Sequence, residues 1–172
     1  MLSAEEIIKL YKLQPLDLEG GYFRQIWSST VKMDNSQLSR NYLKEGQRTS
    51  GTLIYYLITK DTFSALHRLP TQEHWMYHLG DTCEQLHLKE DGSSNIVRLG
   101  SDLLSGETPY ICTPENSWQG TRLISGGTFG YMFCSCVMIP GFQWTDFELG
   151  ERSDLQRLYP DRAEIIKRLT RS

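Results

Sequence analysis

Apolar and polar positions change their period twice along this chain. In "SAEEIIKLYKL" the residues Ile7, Ile8, Leu10 and Tyr11 recur at helical spacing. Ser3 stands as N-cap with Glu6 three residues on, a capping box that predicts a helix start. From "GYFRQIW" onward the period shortens to two. Strands are predicted in that segment and in "TLIYYLIT", "FSALHRL", "HWMYHLG", "EQLHLKE", "NIVRLG", "PYICTP", "GTRLIS", "FGYMFCSCVMI" and "WTDFEL". Turn signals separate them: "KDT" (60–62), "LPTQ" (69–72), "GD" (80–81), "EDGSSN" (90–95), "PENS" (114–117) and "SGG" (125–127). Near the C-terminus a helical period returns. Ser153 and Gln156 form a second capping box opening "SDLQRLY", Pro160 interrupts, and "DRAEIIKRLT" carries Ile165, Ile166 and Leu169 on one side. The pattern predicts a mainly β, antiparallel sandwich or barrel with a helix element at each end, built as one domain over residues 1–172. The long polar stretch "DNSQLSRNYLKEGQRTS" (34–50) reads as a mobile loop or lid inside that domain.

Composition narrows the classes. A chain of 172 residues with 39% hydrophobic residues can bury a core without disulfide or metal staples. A net charge of -3, with Lys and Arg scattered, gives no basic patch for nucleic acid. The longest apolar run, "YMFCSCVMIPGF", is too short to span a bilayer, so no membrane partner is expected. The N-terminus turns acidic at once, unlike a secretory signal, and Cys83, Cys112, Cys134 and Cys136 have neither CxxC nor disulfide-framework spacing. A reduced, cytoplasmic setting is the expectation.

All four histidines, His67, His74, His78 and His87, fall within twenty-one residues. Alternation decides which can cooperate. Phe63, Ala65, His67 and Leu69 would share one strand face, opposite Ser64, Leu66 and Arg68. Glu73, Trp75, Tyr77 and Leu79 would share another, opposite His74, Met76 and His78. If the "PTQ" turn folds the two strands together, His67 meets Glu73. His74 and His78 lie roughly 13 Å apart at about 3.3 Å per residue, too far to ligate one ion.

The spacing His67-Arg68-Leu69, three residues to Glu73, then six to Gly80 resembles the first cupin motif, G-x5-H-x-H-x3,4-E-x6-G. Leu69 replaces its second histidine and Asp61 its leading glycine. "GETPYICTPENSWQG" resembles the second motif, with Pro114, Asn116 in the glycine place and Gln119 in the histidine place; a one-residue slip would put Trp118 there instead. The blocks "LEGGYFRQIWSS", "TLIYYLI", "SALHRLPTQEHW", "QLHL", "PENSWQG" and "PGFQWTDFEL", in this order, resemble the fifth cupin family over essentially the whole chain. Met76 departs from the histidine that family members typically carry after the tryptophan. The resemblance implies a cupin jelly-roll barrel similar to that of dTDP-4-dehydrorhamnose 3,5-epimerase, a homodimer, and no settled activity.

From the resemblance follow three expectations for the barrel pocket. The first is a small-molecule isomerase or epimerase acting on a carbohydrate-like substrate, a free carbohydrate or a nucleotide-sugar. His67 would be the base, Glu73 its orienting partner or second acid–base group, and Tyr77 or Tyr131 the acid. The second is a non-catalytic module holding a small polar ligand. The third is a weakly metal-dependent enzyme in which His67, Glu73 and Gln119 hold Mn, Fe, Ni or Zn. Arg24, Trp75, Trp118, Gln119, Phe133, Asp146 and Glu148 complete the ligand-binding candidates, with Asp146 or Glu148 pairing a buried arginine such as Arg24.

Overall fold

Alternating β-branched and aromatic residues form thirteen strands in the computed structural model, which describes residues 2–38, 42 and 46–171. In chain order these are β1 (Gln14–Pro15), β2 (Tyr22–Ser28), β3 (Lys32–Asp34), β4 (Gln47–Thr49), β5 (Thr52–Thr59), β6 (Ser64–Arg68) and β7 (Glu73–Gly80). The rest are β8 (Cys83–Leu88), β9 (Ser94–Leu99), β10 (Tyr110–Thr113), β11 (Trp118–Leu123), β12 (Tyr131–Met138) and β13 (Glu148–Leu149). Helix α1 (Ala4–Tyr11) precedes them, and α2 (Arg152–Leu158) and α3 (Ala163–Arg168) follow. A six-stranded sheet in the order β1-β2-β5-β12-β7-β10 faces a five-stranded sheet in the order β13-β6-β11-β8-β9, and β3 pairs β4 in a separate ribbon. Every strand pairing is antiparallel, the arrangement of a jelly roll. No helix among the described residues is long and apolar enough to cross a membrane.

Three apolar layers hold the sheets and helices together. Tyr56, Ile58, Trp75, Leu99, Met132 and Cys134 fill the space between the sheets. Leu57, Tyr131 and Phe133 point the other way from the six-stranded sheet and are covered by Ile7 of α1. Leu66, Leu86 and Leu88 leave the outer face of the five-stranded sheet and bury Leu155, Ile166 and Leu169 of the C-terminal helices. The capping box at Ser3 and Glu6 forms as expected, with hydrogen bonds of 2.7 and 3.2 Å. The expected second box does not. Helix α2 begins one residue earlier, with Glu151 as N-cap, and Gln156 donates instead to the Ala163 carbonyl at 2.9 Å, tying α2 to α3.

Two β-bulges correct the period-two reading. On β6, Gln119 of β11 faces His67 but Thr121 faces Ser64, so β6 carries one extra residue between them. Ser64 therefore comes to the inner face beside His67, while Phe63 joins Leu66 in the outer layer under the C-terminal helices. On β7, Tyr77 faces Cys134 while Leu79 faces Phe133, and the extra residue turns Leu79 outward to the layer under α1. The segment "WTDFEL" departs further: Trp144–Asp146 is a 3-10 turn and only Glu148–Leu149 is strand, so the three residues do not share a strand face.

A buried charge holds the described flanks of the polar stretch 34–50. Of the expected mobile loop or lid at 34–50, residues 39–41 and 43–45 lie outside the described residues. Flanking them, β3 pairs β4, and β4 carries Arg48, 2% exposed. Arg48 donates to Asn35 Oδ1 at 2.9 Å, lies 4.6 Å over the Tyr42 ring, and holds Asp146 through both terminal nitrogens, one bond measuring 3.1 Å. Asp146 thus finds Arg48 as its partner. Arg24, the arginine expected there, is exposed and donates to the Tyr11 carbonyl at 3.1 Å. Glu148 pairs the part-exposed Arg68. Replacing Arg48 by methionine should leave the Asp146 carboxylate buried without a counter-charge and cost about 3–5 kcal/mol in chemical denaturation, most of it recovered in Arg48→Met/Asp146→Leu.

Candidate functional site

Between the two sheets, beyond the apolar filling, lies a cavity of about 140 Å³. Leu16, Phe23, Ile54, Leu69 and Met138 give it apolar walls, and Phe142, Trp144 and Phe147 add an aromatic one. The 3-10 turn explains that wall, because side chains three apart in such a turn lie on one side and bring Trp144 and Phe147 together at 5.5 Å. The buried Arg48–Asp146 pair pins the same turn. Trp144 is 52% exposed, so the cavity opens to solvent past its ring. The ionisable side chains lining it include Glu19, His67 and Glu73.

His67, on β6, has its ring stacked on Phe147 at 5.1 Å and 19°. Its Nδ1 lies 2.8 Å from the Ala65 carbonyl, which can only accept, so Nδ1 carries the proton. Its Nε2 lies 3.2 Å from the amide nitrogen of Gln119, which can only donate, so Nε2 is the bare lone pair. His67 is therefore neutral in this arrangement, in the tautomer of a base facing the cavity. The same amide nitrogen donates to Glu73 Oε2 at 2.6 Å. One Gln119 –NH2 group thus joins the two residues whose spacing the sequence singled out.

Burial of Glu73 and the neighbouring Glu19 push its carboxyl up to about 7, opposed by His67, the Gln119 bond and the nearby indole of Trp75. The Trp75 N–H is buried and forms no closed hydrogen bond, so its effect on Glu73 is one of proximity only. Glu19 sits in the turn before β2 and accepts from Ser64 at 2.6 Å, a contact the β6 bulge makes available. Gly20 follows with φ +109°, and a Cβ there would stand 2.2 Å from the Phe63 carbonyl, so glycine is required for the turn to approach β6.

Behind Gln119 runs a buried polar chain. Thr113 donates to Gln119 Oε1 at 2.7 Å and lies 3.1 Å from Gln85 Oε1, and its one hydroxyl proton serves one of them at a time. Gln85 donates to Thr121 at 3.0 Å and accepts from His87 Nε2 at 2.7 Å. Burial, with a smaller effect of Lys89, lowers His87 to about 4, so it stays neutral. His87, Gln85, Thr113, Ser64 and Glu19 were not among the candidates. "LEGG", an acid before paired glycines, was the available signal for Glu19, whereas the β8–β11 polar chain has none short of the strand register.

Other expected site residues lie elsewhere. The Tyr77 hydroxyl donates to the Gly80 carbonyl at 2.6 Å, and that of Tyr131 to the Leu2 carbonyl at 2.9 Å in the layer beneath α1; neither lines the cavity. Phe133 belongs to that outer layer, stacked on Tyr11 at 5.0 Å. Trp118 packs toward the C-terminal helices under Arg68, and Trp75 is inter-sheet core against Tyr56. His74 bonds Tyr110 and His78 bonds Ser135, so these two histidines have separate partners, in keeping with their spacing.

The donor set does not fit a divalent metal. Leu69 occupies the place of a ligating histidine and offers no donor, while the Gln119 –NH2 occupies the His67 Nε2 lone pair and one oxygen of Glu73. Among the described residues no three His, Cys, Asp or Glu side chains are grouped to hold an ion.

Two antiparallel sheets closed around an internal site of this kind define a cupin jelly roll. The chain belongs to the family described as Cupin superfamily (DUF985), whose model matches residues 5–150. It is similar to a hypothetical protein from Leishmania major, 29% identical over 99% of this chain and 100% of that one, with a TM-score of 0.86. A Shewanella oneidensis protein is 28% identical over 99% of each chain, also with a TM-score of 0.86. The fold extends to a cupin 2 conserved barrel domain protein from Rhodopseudomonas palustris, 15% identical over 90% of this chain and 81% of that one, TM-score 0.55. No curated protein matches the chain.

Glu73 and His87 pull stability in opposite directions with pH. From pH 4.5 to about 7 the folded protein keeps the Glu73 proton that the unfolded chain has released, so this residue destabilises as pH rises. From pH 6.5 down to about 4 the unfolded chain takes up a His87 proton that the folded protein refuses, so this residue destabilises as pH falls. The slopes oppose each other between pH 4.5 and 6.5. Melting temperatures across pH 4.5–8 should show Glu73→Gln losing stability on the acid side, and His87→Gln losing it on the neutral side.

Proposed function

We propose that the cavity is a proton-transfer site, and that the protein is an isomerase- or epimerase-type enzyme acting on a small, carbohydrate-like carbonyl compound. One observation carries this reading: a neutral imidazole with its lone pair toward the cavity and a carboxyl titrating near neutrality are bridged by one amide. His67 Nε2 takes the proton from the carbon next to the carbonyl, and the protonated Glu73 carboxyl gives its proton to the carbonyl oxygen, forming an enol. Return of the His67 proton to the former carbonyl carbon, with Glu73 taking the proton of the hydroxyl on the carbon first deprotonated, completes the isomerisation. Gln119 yields the longer of its two bonds, the one to His67, when substrate enters, and keeps the one to Glu73. With Tyr77 and Tyr131 away from the cavity, a carboxyl takes the role of acid. A free small sugar suits the cavity better than a nucleotide-sugar, because among the described residues no lysine or arginine lines it to meet a diphosphate.

Deuterium wash-in from D2O into small aldoses and ketoses tests the reading. Exchange should occur with the wild type, fall by about 10²–10⁴-fold in His67→Gln, and decline above pH 7 as Glu73 loses its proton. Binding of a sugar without exchange would make the protein a non-catalytic ligand-binding module. Exchange that survives His67→Gln, in a variant shown to be folded, would remove His67 from the mechanism.

We also infer a homodimer. Among the described residues β1 pairs only Tyr22 and Phe23 of β2, leaving the outer edge of Arg24–Ser28 without a strand partner, with Ile26 40% and Trp27 49% exposed. Light scattering should give twice the chain mass at micromolar concentration, and Trp27→Lys should give a single chain.

A further inference from the structure

We propose that the ligand of this cavity carries a positive charge: a small organic cation whose ammonium group lies between Glu19, Glu73 and the aromatic wall. The inference rests on the cavity being the substrate site, and it adds the chemical class that the site selects.

Charge balance is the first argument. Two carboxyls, Glu19 and Glu73, line the cavity, and among the described residues no lysine or arginine does. Among the described residues neither carboxyl forms an ion pair. Their hydrogen-bond donors are uncharged, Ser64 for Glu19 and Gln119 for Glu73. The guanidinium beside the Glu19 turn, that of Arg171, donates to the Asp17 carbonyl at 2.6 Å, and two other arginines are held by carboxylates elsewhere. Arg48 is held by Asp146, and Arg68 is shared between Glu148 at 2.6 Å and Glu90 at 3.9 Å. Glu73 is buried and Glu19 half-buried; ionising a carboxyl there without a counter-charge is costly, and a cation in the cavity would offset that cost.

The wall supplies the second argument. Phe23, Phe142, Trp144 and Phe147 line the same cavity, and their π faces attract a desolvated ammonium that a neutral ligand of equal shape would not exploit. Phe142 and Trp144 meet edge to face at 5.1 Å and 82°, a packing that holds the rings in place at the opening. Aromatic rings on one side and carboxyls on the other form a cage suited to substituted amines, including aminated sugars.

Occupation of this cage is linked to protons. The groups facing Glu73 are Glu19 from the turn before β2, His67 of β6, Trp75 of β7, Gln119 of β11 and Cys136 of β12. A ligand cation favours the ionised Glu73, so binding strengthens as pH rises through the neutral range and releases a proton there, and Glu73 serves as the acid of the proton transfer only below the pH of that release.

Titration calorimetry with choline and its uncharged carbon analogue, 3,3-dimethylbutan-1-ol, tests the proposal with ligands that keep their own charge at all working pH values. At pH 8 choline should bind about 10-fold or more tighter than the analogue. Its affinity should fall by up to roughly 10-fold at pH 6, as Glu73 takes up its proton. Glu73→Gln and Glu19→Gln should each erase the preference for choline, and Trp144→Ala, at an exposed position that tolerates truncation, should weaken choline binding. Equal affinity for the two ligands, no choline binding at pH 8, or a preference that survives both glutamine substitutions would overturn the proposal. Choline has no carbonyl and undergoes no exchange, so the outcome is independent of the deuterium experiment. Choline binding without sugar exchange would retain the cation site and reject the proton-transfer reading; exchange without choline preference would do the reverse.

Discussion

One amide group organises the interior of this barrel. Gln119 donates from a single nitrogen to the His67 lone pair and the Glu73 carboxyl, while its oxygen accepts from Thr113. These partners come from β6, β7, β10 and β11, and so from both sheets. A buried polar network is stabilising only when its members are satisfied. The jelly roll meets that condition by bringing the inner faces of four strands into register at one amide. The cavity's chemistry follows from the same constraint: it sets the imidazole tautomer and keeps a carboxyl next to it where burial holds the proton near neutral pH.

Architecture was legible in the alternation of the sequence because most strands are uninterrupted and half-buried. "TLIYYLIT" coincides with β5, and Ser3 with Glu6 fixes the start of α1. What alternation cannot show is where one residue is added. A bulge changes the face of every side chain beyond it. Ser64, assigned opposite His67 by counting, lies beside it and binds Glu19, and Leu79 leaves the row of Glu73, Trp75 and Tyr77. "WTDFEL" misled for a related reason: its composition suits a strand, but the Arg48–Asp146 pair and a 3-10 turn use it to build a wall.

His67, Glu73 and Gln119 were legible together because the motif spacing survives substitution at two of its ligand places. Leu69 and Gln119 changed what the motif can do without changing where it points. Where the cupin motif carries a ligating set, this chain carries a hydrogen-bonded imidazole and carboxyl. Tyr77 and Tyr131 were inferred from residue type alone, and their hydroxyls are spent on backbone carbonyls away from the cavity. Glu19 escaped because it lies in a turn, outside any strand period. Its approach depends on Gly20, whose role emerges only when the Phe63 carbonyl is seen against it.

Gln119 holds His67 as the Nδ1–H tautomer, its amide donating to the unprotonated Nε2. ¹⁵N chemical shifts of the His67 ring, measured at pH 8 in wild type and Gln119→Leu, test it most directly. The account predicts a protonated Nδ1 and a bare Nε2 in the wild type, with the Nε2 shift altered when the amide is removed. A protonated Nε2, or an Nε2 shift indifferent to Gln119, would contradict it.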